Sequence, residues 1–181
     1  MSGIYVLCSI MSKKVILFIA TSLDGFIATK DESVSWLDKY NETWEDYGFK
    51  SFYDSVDTVI LGNATFKQFP DAYPDKECFV FSRKEQGLKD SVTYFNWVPE
   101  DVMKLVAVDS NKSAWLVGGA NIVNQFLQAN LIDEFIIFTM PVILGSWVRL
   151  FGEKNQELQL QLTNHKIHKS GVCEMHYKKI K

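Results

Sequence analysis

Chemistry in this chain is concentrated in four short segments, each directly after an apolar run. Residues 20–28 (Ala-Thr-Ser-Leu-Asp-Gly-Phe-Ile-Ala) set Asp24 and Gly25 on a sharp turn, which either offers a carboxylate to a ligand or serves as a plain structural turn. Residues 61–66 (Leu-Gly-Asn-Ala-Thr-Phe) place Gly62 at a strand end before a helix start, where backbone N–H groups and the Thr65 hydroxyl can hold phosphate oxygens. Residues 81–84 (Phe-Ser-Arg-Lys) end an apolar run on Ser82 and two cations. Arg83 can grip a phosphate bidentately with Lys84 as a second point charge, although taken alone a solvated strand end is the plainer account of them. Residues 117–122 (Val-Gly-Gly-Ala-Asn-Ile) put a diglycine between a strand and a helix, so the backbone can approach a ligand and the helix N-terminus favours an anion. The spacing is not GxGxxG, so the common dinucleotide fingerprint is missing.

These segments need a scaffold, and the hydrophobic pattern predicts one. Val15–Ala20 is a nearly unbroken β-branched run, as expected of a strand covered on both faces. Further strands are predicted at 58–61, 78–81, 114–117 and 135–138, with a weaker one at 92–95. Helical spacing runs from Trp44 to Val56 through Phe49, Phe52 and Tyr53. A second helix is predicted from Pro99 to about Val108, and a third from Asn121 to Asn130 with Ile122, Val123, Phe126 and Leu127 on one face. Strands alternating with helices predict right-handed crossovers and a mostly parallel sheet flanked by helices. Residues 157–169 and 172–179 alternate apolar and polar around Ser170-Gly171, which predicts a C-terminal antiparallel hairpin closing one side of the sheet. We expect a single α/β domain over 13–181. Residues 1–12 read as an N-terminal extension or an alternative start, since Met11-Ser12-Lys13-Lys14 resembles a more natural beginning. In an open α/β sheet ligands bind beyond the carboxyl ends of the strands, where all four segments fall.

Composition narrows the partners. With 47% hydrophobic and 23% charged residues, the 181-residue chain can bury a sizeable core. Its net charge of −3 and the lack of a basic face argue against nucleic acid. No apolar run approaches the roughly 20 residues that span a bilayer, so no membrane association is expected. Cys8, Cys78 and Cys173 form no CxxC and read as packed thiols of a reducing, cytoplasmic compartment. His165, His168 and His176 cluster in the closing hairpin, but 165 and 168 on one strand would face apart, so no metal site is expected.

The strings SLDGFIA (22–28), LGNATF (61–66), FSRK (81–84), LVGGANIVNQFLQANLIDEFIIFTMPVILG (116–145) and LF (150–151) occur in an order that resembles the reductase domain of the bacterial riboflavin deaminase-reductase. Through it the chain, from about residue 14 to 181, resembles the wider dihydrofolate reductase-like superfamily. That resemblance implies NADPH as cofactor, a mixed sheet of eight or so strands and a homodimer. Carried over by position, it implies that Gly118, Gly119, Ala120 and Asn121 lie on the cofactor pyrophosphate with Ile122 beside it. It sets Ser82 and Arg83 at the adenosine ribose and its 2′-phosphate, and Thr65, after Gly62, on phosphate. Ala20, Leu23, Asp24, Gly25 and Ile27 would line the nicotinamide side. Two positions depart from the family pattern. Asn63 replaces an arginine and removes one phosphate cation, and Trp147 replaces a glycine and predicts a narrowed substrate pocket.

Hydride transfer asks the protein to align the nicotinamide with a C=N or C=O bond and to offer a proton to the other atom. Asp46 is the candidate donor, because its spacing to Gly62 matches the pocket carboxylate of folate-reducing relatives. An acidic residue in a first helical turn is the plainer account of it. Asp24 is the second carboxylate. Trp36, Trp44, Phe49 and Phe52 would form either a flat apolar wall or ordinary core. The expected activity is NADPH-dependent reduction of a small, heterocyclic (pterin- or pyrimidine-like) or carbonyl substrate. The alternatives are dihydrofolate reduction and a catalytically inactive nucleotide-binding protein.

Overall fold

The computed structural model describes residues 13–41, 45–96, 98–106, 111–153 and 155–180. The segment 1–12 with Cys8, Trp44 and the predicted helix end at 107–108 lie outside them. Strand β1 (Val15–Ser22) leads through β2 (Phe26–Ala28), a 3-10 turn at Ser35–Leu37, and helices α1 (Asp38–Asn41) and α2 (Phe49–Ser55) into β3 (Val56–Gly62). Then come α3 (Asn63–Gln68), β4 (Glu77–Phe81), β5 (Gly87–Lys89), β6 (Val92–Phe95), α4 (Pro99–Leu105), β7 (Ser113–Gly118) and α5 (Ala120–Gln128). The chain ends with β8 (Glu134–Met140), β9 (Val148–Arg149), β10 (Leu160–Ile167) and β11 (Cys173–Lys179).

Nine strands form one sheet in the order β10-β11-β8-β1-β7-β3-β4-β6-β5, and β2 pairs with β9 in a small second sheet. The six from β8 to β6 run parallel, while β11, β10 and β5 are antiparallel additions at the two edges. The unbroken apolar runs follow from burial on both faces. Val15 and Leu17 pack with Val102 of α4 and Val123 and Phe126 of α5, whereas Ile16, Val59 and Leu61 pack with Phe52 of α2 on the opposite face. Each such side chain contributes roughly 1.5–3 kcal/mol when fully buried, so the central strands and α5 anchor the domain. Helix α5 stops where Asn130 enters the left-handed region (φ 57°), with its N–H donating to the Leu127 carbonyl at 3.0 Å.

The hairpin turns at Ser170-Gly171, where Gly171 has φ 84° and the His168 N–H donates to the Val172 carbonyl at 2.9 Å. The predicted alternation of buried and exposed residues along β10 does not hold. As the sheet's edge strand it is exposed at every residue but Leu160, with Leu162 and Ile167 facing solvent. His168 lies past the end of β10, in the turn, and its side chain is buried, so the expectation that 165 and 168 face apart along one strand is replaced by a different geometry. Cys78 is packed in the core, and burial pushes its thiol up to about 11. No helix among the described residues is long and apolar enough to cross a membrane.

Candidate functional site

Three of the four segments are neighbours in space because of strand register. Leu61 of β3 stands opposite Gly118 of β7, and Gly62 stands opposite Phe81 of β4, so the diglycine, Gly62 and Ser82-Arg83 emerge side by side at the carboxyl ends of adjacent strands. Gly118 (φ 137°) and Gly119 (φ 54°) both hold backbone angles that side chains other than glycine rarely adopt. They are also crowded. A Cβ on Gly119 would stand 3.3 Å from Thr65 Oγ1, one on Gly118 3.3 Å from Ile19 Cδ1, and one on Gly62 3.3 Å from Ile122 Cγ1. The Ile122 and Val123 N–H groups both donate to the Gly119 carbonyl, at 3.0 and 3.1 Å. The Ala120 and Asn121 N–H groups are left as open donors of the first turn of α5.

This glycine cradle opens into a cavity of about 640 Å³, a size typical of small-molecule sites. Ala20, Ile27, Thr65, Gly119 and Ala120 are on its wall. Gly62, Gly118 and the buried Ile122 lie just behind it, while Leu23 and Gly25 stand outside, Leu23 exposed to solvent. The Ser82 hydroxyl is buried and accepts from the Lys84 and Glu85 N–H groups at 3.3 and 3.1 Å, while Arg83 is exposed. Asn121 projects to the surface, its side-chain carbonyl accepting from Gln125 at 2.6 Å. Asn63 is the first residue of the short α3. Trp147 does not narrow the cavity. Its indole is exposed and off the wall, and the neighbouring Val148 lines it instead.

The two carboxylates separate by environment. Asp24 is a clasp: Ser22 Oγ donates to it at 2.6 Å, Gly145 N at 2.7 Å and Leu144 N at 3.1 Å. The Ser22 hydroxyl above all, with the Gly145 and Leu144 amides, holds its carboxyl down at about 2 against the opposing effect of desolvation. It carries no proton at neutral pH and fastens the turn after β1 to the loop after β8. Asp46 is on the cavity wall, exposed, and also accepts from the Lys50 N–H at 3.2 Å, so it caps α2 as well. Of the predicted aromatic wall, Phe49 lines the cavity. Phe52 is core, stacked on Phe18 at 4.2 Å, and Trp36 packs beside it.

Several wall residues carry no local signal in the sequence. Phe18 and Trp115 come from β1 and β7, and Phe138 from β8. Tyr73 joins them from the loop before β4, its phenol pushed up chiefly by burial. Glu45, beside Asp46, is tied into a buried chain. Its Oε1 meets His168 Nδ1 at 2.8 Å, His168 Nε2 meets Glu174 Oε2 at 2.7 Å, and Glu174 Oε1 meets His176 Nε2 at 2.6 Å. Each ring nitrogen of His168 meets a carboxylate oxygen, so the ring ties Glu45 to Glu174. The His168 hydrogen bond holds the Glu45 carboxyl below the usual range. Burial pushes Glu174 up, but the hydrogen bonds from His176 and His168 outweigh it. The spacing of His168, Glu174 and His176 across the hairpin was the available hint. Nothing tied it to Glu45, 123 residues away. From α5, Asn124 donates to the Leu150 carbonyl at 2.9 Å and accepts from Gly152 N at 2.8 Å, pinning the loop after β9. Among the described residues, the wall carries Glu32, Glu45 and Asp46 and no lysine, arginine or histidine.

With the cradle and cavity in place, the match to known proteins is decisive at the level of family. The model of the RibD C-terminal domain matches residues 75–173, more than half of the chain. The chain belongs to the RibD C-terminal domain family. Within reach of that family, the uncharacterized protein YwjB of Bacillus subtilis (strain 168) is 39% identical over 175 residues, covering 92% of this chain and 98% of YwjB. A candidate riboflavin biosynthesis protein of Shewanella sp. PV-4 superposes with a TM-score of 0.80 at 29% identity, over 93% of this chain and 99% of that one. The diaminohydroxyphosphoribosylaminopyrimidine deaminase/5-amino-6-(5-phosphoribosylamino)uracil reductase of Thermotoga maritima shares the fold, with a TM-score of 0.70 at 14% identity. This chain covers 57% of that longer protein, and 93% of its own residues take part. The fold is therefore that of the RibD reductase domain, with its dihydrofolate reductase-like, mostly parallel sheet.

Proposed function

We propose that this RibD-type protein is a cytoplasmic, NADPH-dependent reductase that reduces a C=N or C=O bond of a small heterocycle. One observation carries this: a glycine cradle where any side chain would be strained opens straight into a ring-lined cavity. The residues present fit the cofactor. The positive-φ glycines and the open N–H donors of the nine-residue α5 suit a pyrophosphate, Thr65 adds a hydroxyl, and the exposed Arg83 suits a 2′-phosphate. NADPH, when bound, supplies a hydride. Ala20 and Ile27 then flank the ring end of the cavity, and the apolar wall excludes water from it. Asp46, solvent-connected on the wall, supplies the proton, while Asp24 holds the loop that closes over β1. The pyrimidine in the Thermotoga enzyme's name supports a nitrogen heterocycle as the class of substrate. The homodimer implied by resemblance belongs to the same proposal, and light scattering on the purified chain would give twice its mass.

The test is a side-by-side fluorescence titration with NADPH and NADH, using Trp115 on the cavity wall as reporter. NADPH should saturate at lower concentration than NADH. Arg83→Ala should erase about tenfold of that preference, as expected for one charged hydrogen bond. Absence of saturable binding by either nucleotide would overturn the proposal.

A further inference from the structure

The electrostatics of the cavity say more about its ligand than the fold does, and the step taken here rests on reading that cavity as the substrate site. Its wall combines the rings of Phe49, Tyr73 and Trp115 with three carboxylates, and among the described residues no cation faces in. Several basic groups nearby have partners of their own, Lys39 over the Tyr40 ring at 4.8 Å and Arg149 over the Phe26 ring at 4.7 Å among them. The His168 ring is held between Glu45 and Glu174 with its side chain fully buried. Lys50 turns its ammonium to Asp54 at 3.1 Å, and Lys76 lies over the Tyr53 ring and pairs with Asp75 at 2.9 Å. Lys166, on β10, acts on Glu45 only as a distant charge from outside the wall. In the adjoining segment, residues 42–44 are Glu, Thr and Trp and add no base to the sequence.

A phosphate at the substrate end of such a cavity would meet three carboxylates and no cation among the described residues, with only neutral groups such as Gln68 and the tyrosines beside them. An anion needs an opposing charge or aimed N–H donors once it leaves water. The open N–H donors at the start of α5 belong to the cradle that the cofactor fills, so none remain for a second phosphate. A flat ring with a positively charged or N–H-rich edge meets the reverse situation. Aromatic faces attract cations, and a carboxylate accepts two parallel N–H bonds from an amidine-like edge. Glu45 is suited to this because its carboxyl cannot swing away. His168, in the hairpin turn, fixes Oε1, and the side chain remains about a quarter exposed toward the cavity.

We propose that the substrate end takes a flat, unphosphorylated ring whose edge is cationic or rich in N–H donors, recognised by Glu45 and Asp46. The substrate-selecting charge is thus opposite to the one a ribose-phosphate ligand requires.

Benzamidine, benzoate and phenyl phosphate are matched probes, alike in ring and opposite in charge. Each is titrated into the full chain at neutral pH by tryptophan fluorescence, with an NADPH titration on the same preparation. Benzamidine should saturate, and both anions should fail to bind at tenfold higher concentration. Glu45→Gln should weaken benzamidine about tenfold, and Asp46→Asn should weaken it less. Asp46 is exposed, so its variant keeps the test valid should Glu45→Gln loosen the His168 turn. Binding of phenyl phosphate or benzoate as tightly as benzamidine, or no binding by any probe, overturns the inference. Benzamidine binding without NADPH binding overturns the reductase proposal and leaves the charge selection standing. NADPH binding with a preference for the anionic probes does the reverse.

Discussion

The two ends of the cavity are built by different physical means. At one end backbone conformation does the shaping. Gly118 and Gly119 hold angles that other residues rarely adopt, and a Cβ there would press on Ile19 and Thr65. At the other end side chains from distant parts of the chain do it. Glu45 precedes α2, His168 is in the last turn, and Glu174 and His176 are on β11, joined through one buried imidazole ring. The diglycine's own conformation is local in sequence, and its close packing needs only β1 and β3 paired on either side of β7. The second end depends on the whole sheet having formed, because the hairpin reaches Glu45 only once β11 has paired with β8.

Removing the His168 ring is the most disruptive way to test that contrast. His168→Leu leaves the Glu45 and Glu174 carboxylates facing an apolar side chain, and taking one partner out of a buried pair in this manner costs about 3–5 kcal/mol. Urea denaturation should report that loss. Converting both carboxylates to glutamine in the same variant should recover most of it, since no buried charge is then left unpaired. If the single variant unfolds at the wild-type midpoint, His168 is not the keystone of that end. Next in size, Gly119→Ala meets both a strained φ and a contact 3.3 Å from Thr65 Oγ1. Strain of this kind costs about 1–3 kcal/mol. Here the loss should fall on nucleotide affinity more than on benzamidine affinity, as the paired titrations would read directly. Equal loss of both would mean that the two ends are not independent.

The same contrast explains what could be read in advance. Periodicity placed the central strands to within a residue or two, because burial on both faces leaves an unbroken apolar run such as Val15–Ala20. It placed Gly118-Gly119 at a strand-to-helix junction for the same local reason. Short elements escaped it. The two residues of β9 and three of β2 have too few positions to show a period, and they exist because Val148 and Ala28 pair across the cavity mouth. The helix predicted from Trp44 begins only at Phe49, since Gly48 at φ 73° and the Asp46 carboxylate on the Lys50 N–H set its start. Glu45 and Asp46 could not be ranked by sequence position. Their difference lies in His168, which reaches one of them from the far end of the chain. Trp147 misled in the opposite sense: its loop is held by Asp24, and the indole points to solvent.

Asn124 tests whether the mouth of the cavity is held as firmly as its ends. Its amide joins the Leu150 carbonyl and the Gly152 N–H to α5. Asn124→Ala removes both, and because Gly152 can turn to water the cost should be about 1 kcal/mol. Limited proteolysis should then cut within 150–155 faster than in the wild type. Unchanged cleavage would show that β9 pairing alone keeps the loop in place.

The smallest effect is expected from Asp24, and only in acid. Its folded pKa of about 2 is below the ordinary value of 3.8 because Ser22, Gly145 and Leu144 donate to the ionised form. The unfolded chain therefore binds the proton first as pH falls. Its contribution is present in full above about pH 4 and is lost as pH falls toward 2. Asp24→Asn should flatten that part of the stability curve, so wild type and variant converge in acid and differ most above it. Other lowered carboxylates, Glu45 and Glu174 among them, give both proteins a common acid slope, so the difference between the two curves is the quantity to follow. If the gap between the curves stays constant from about pH 5 to about pH 2, the clasp does not depend on the Asp24 charge. The turn after β1 would then be held to the β8 loop by the Leu23 N–H on the Val142 carbonyl at 2.8 Å instead.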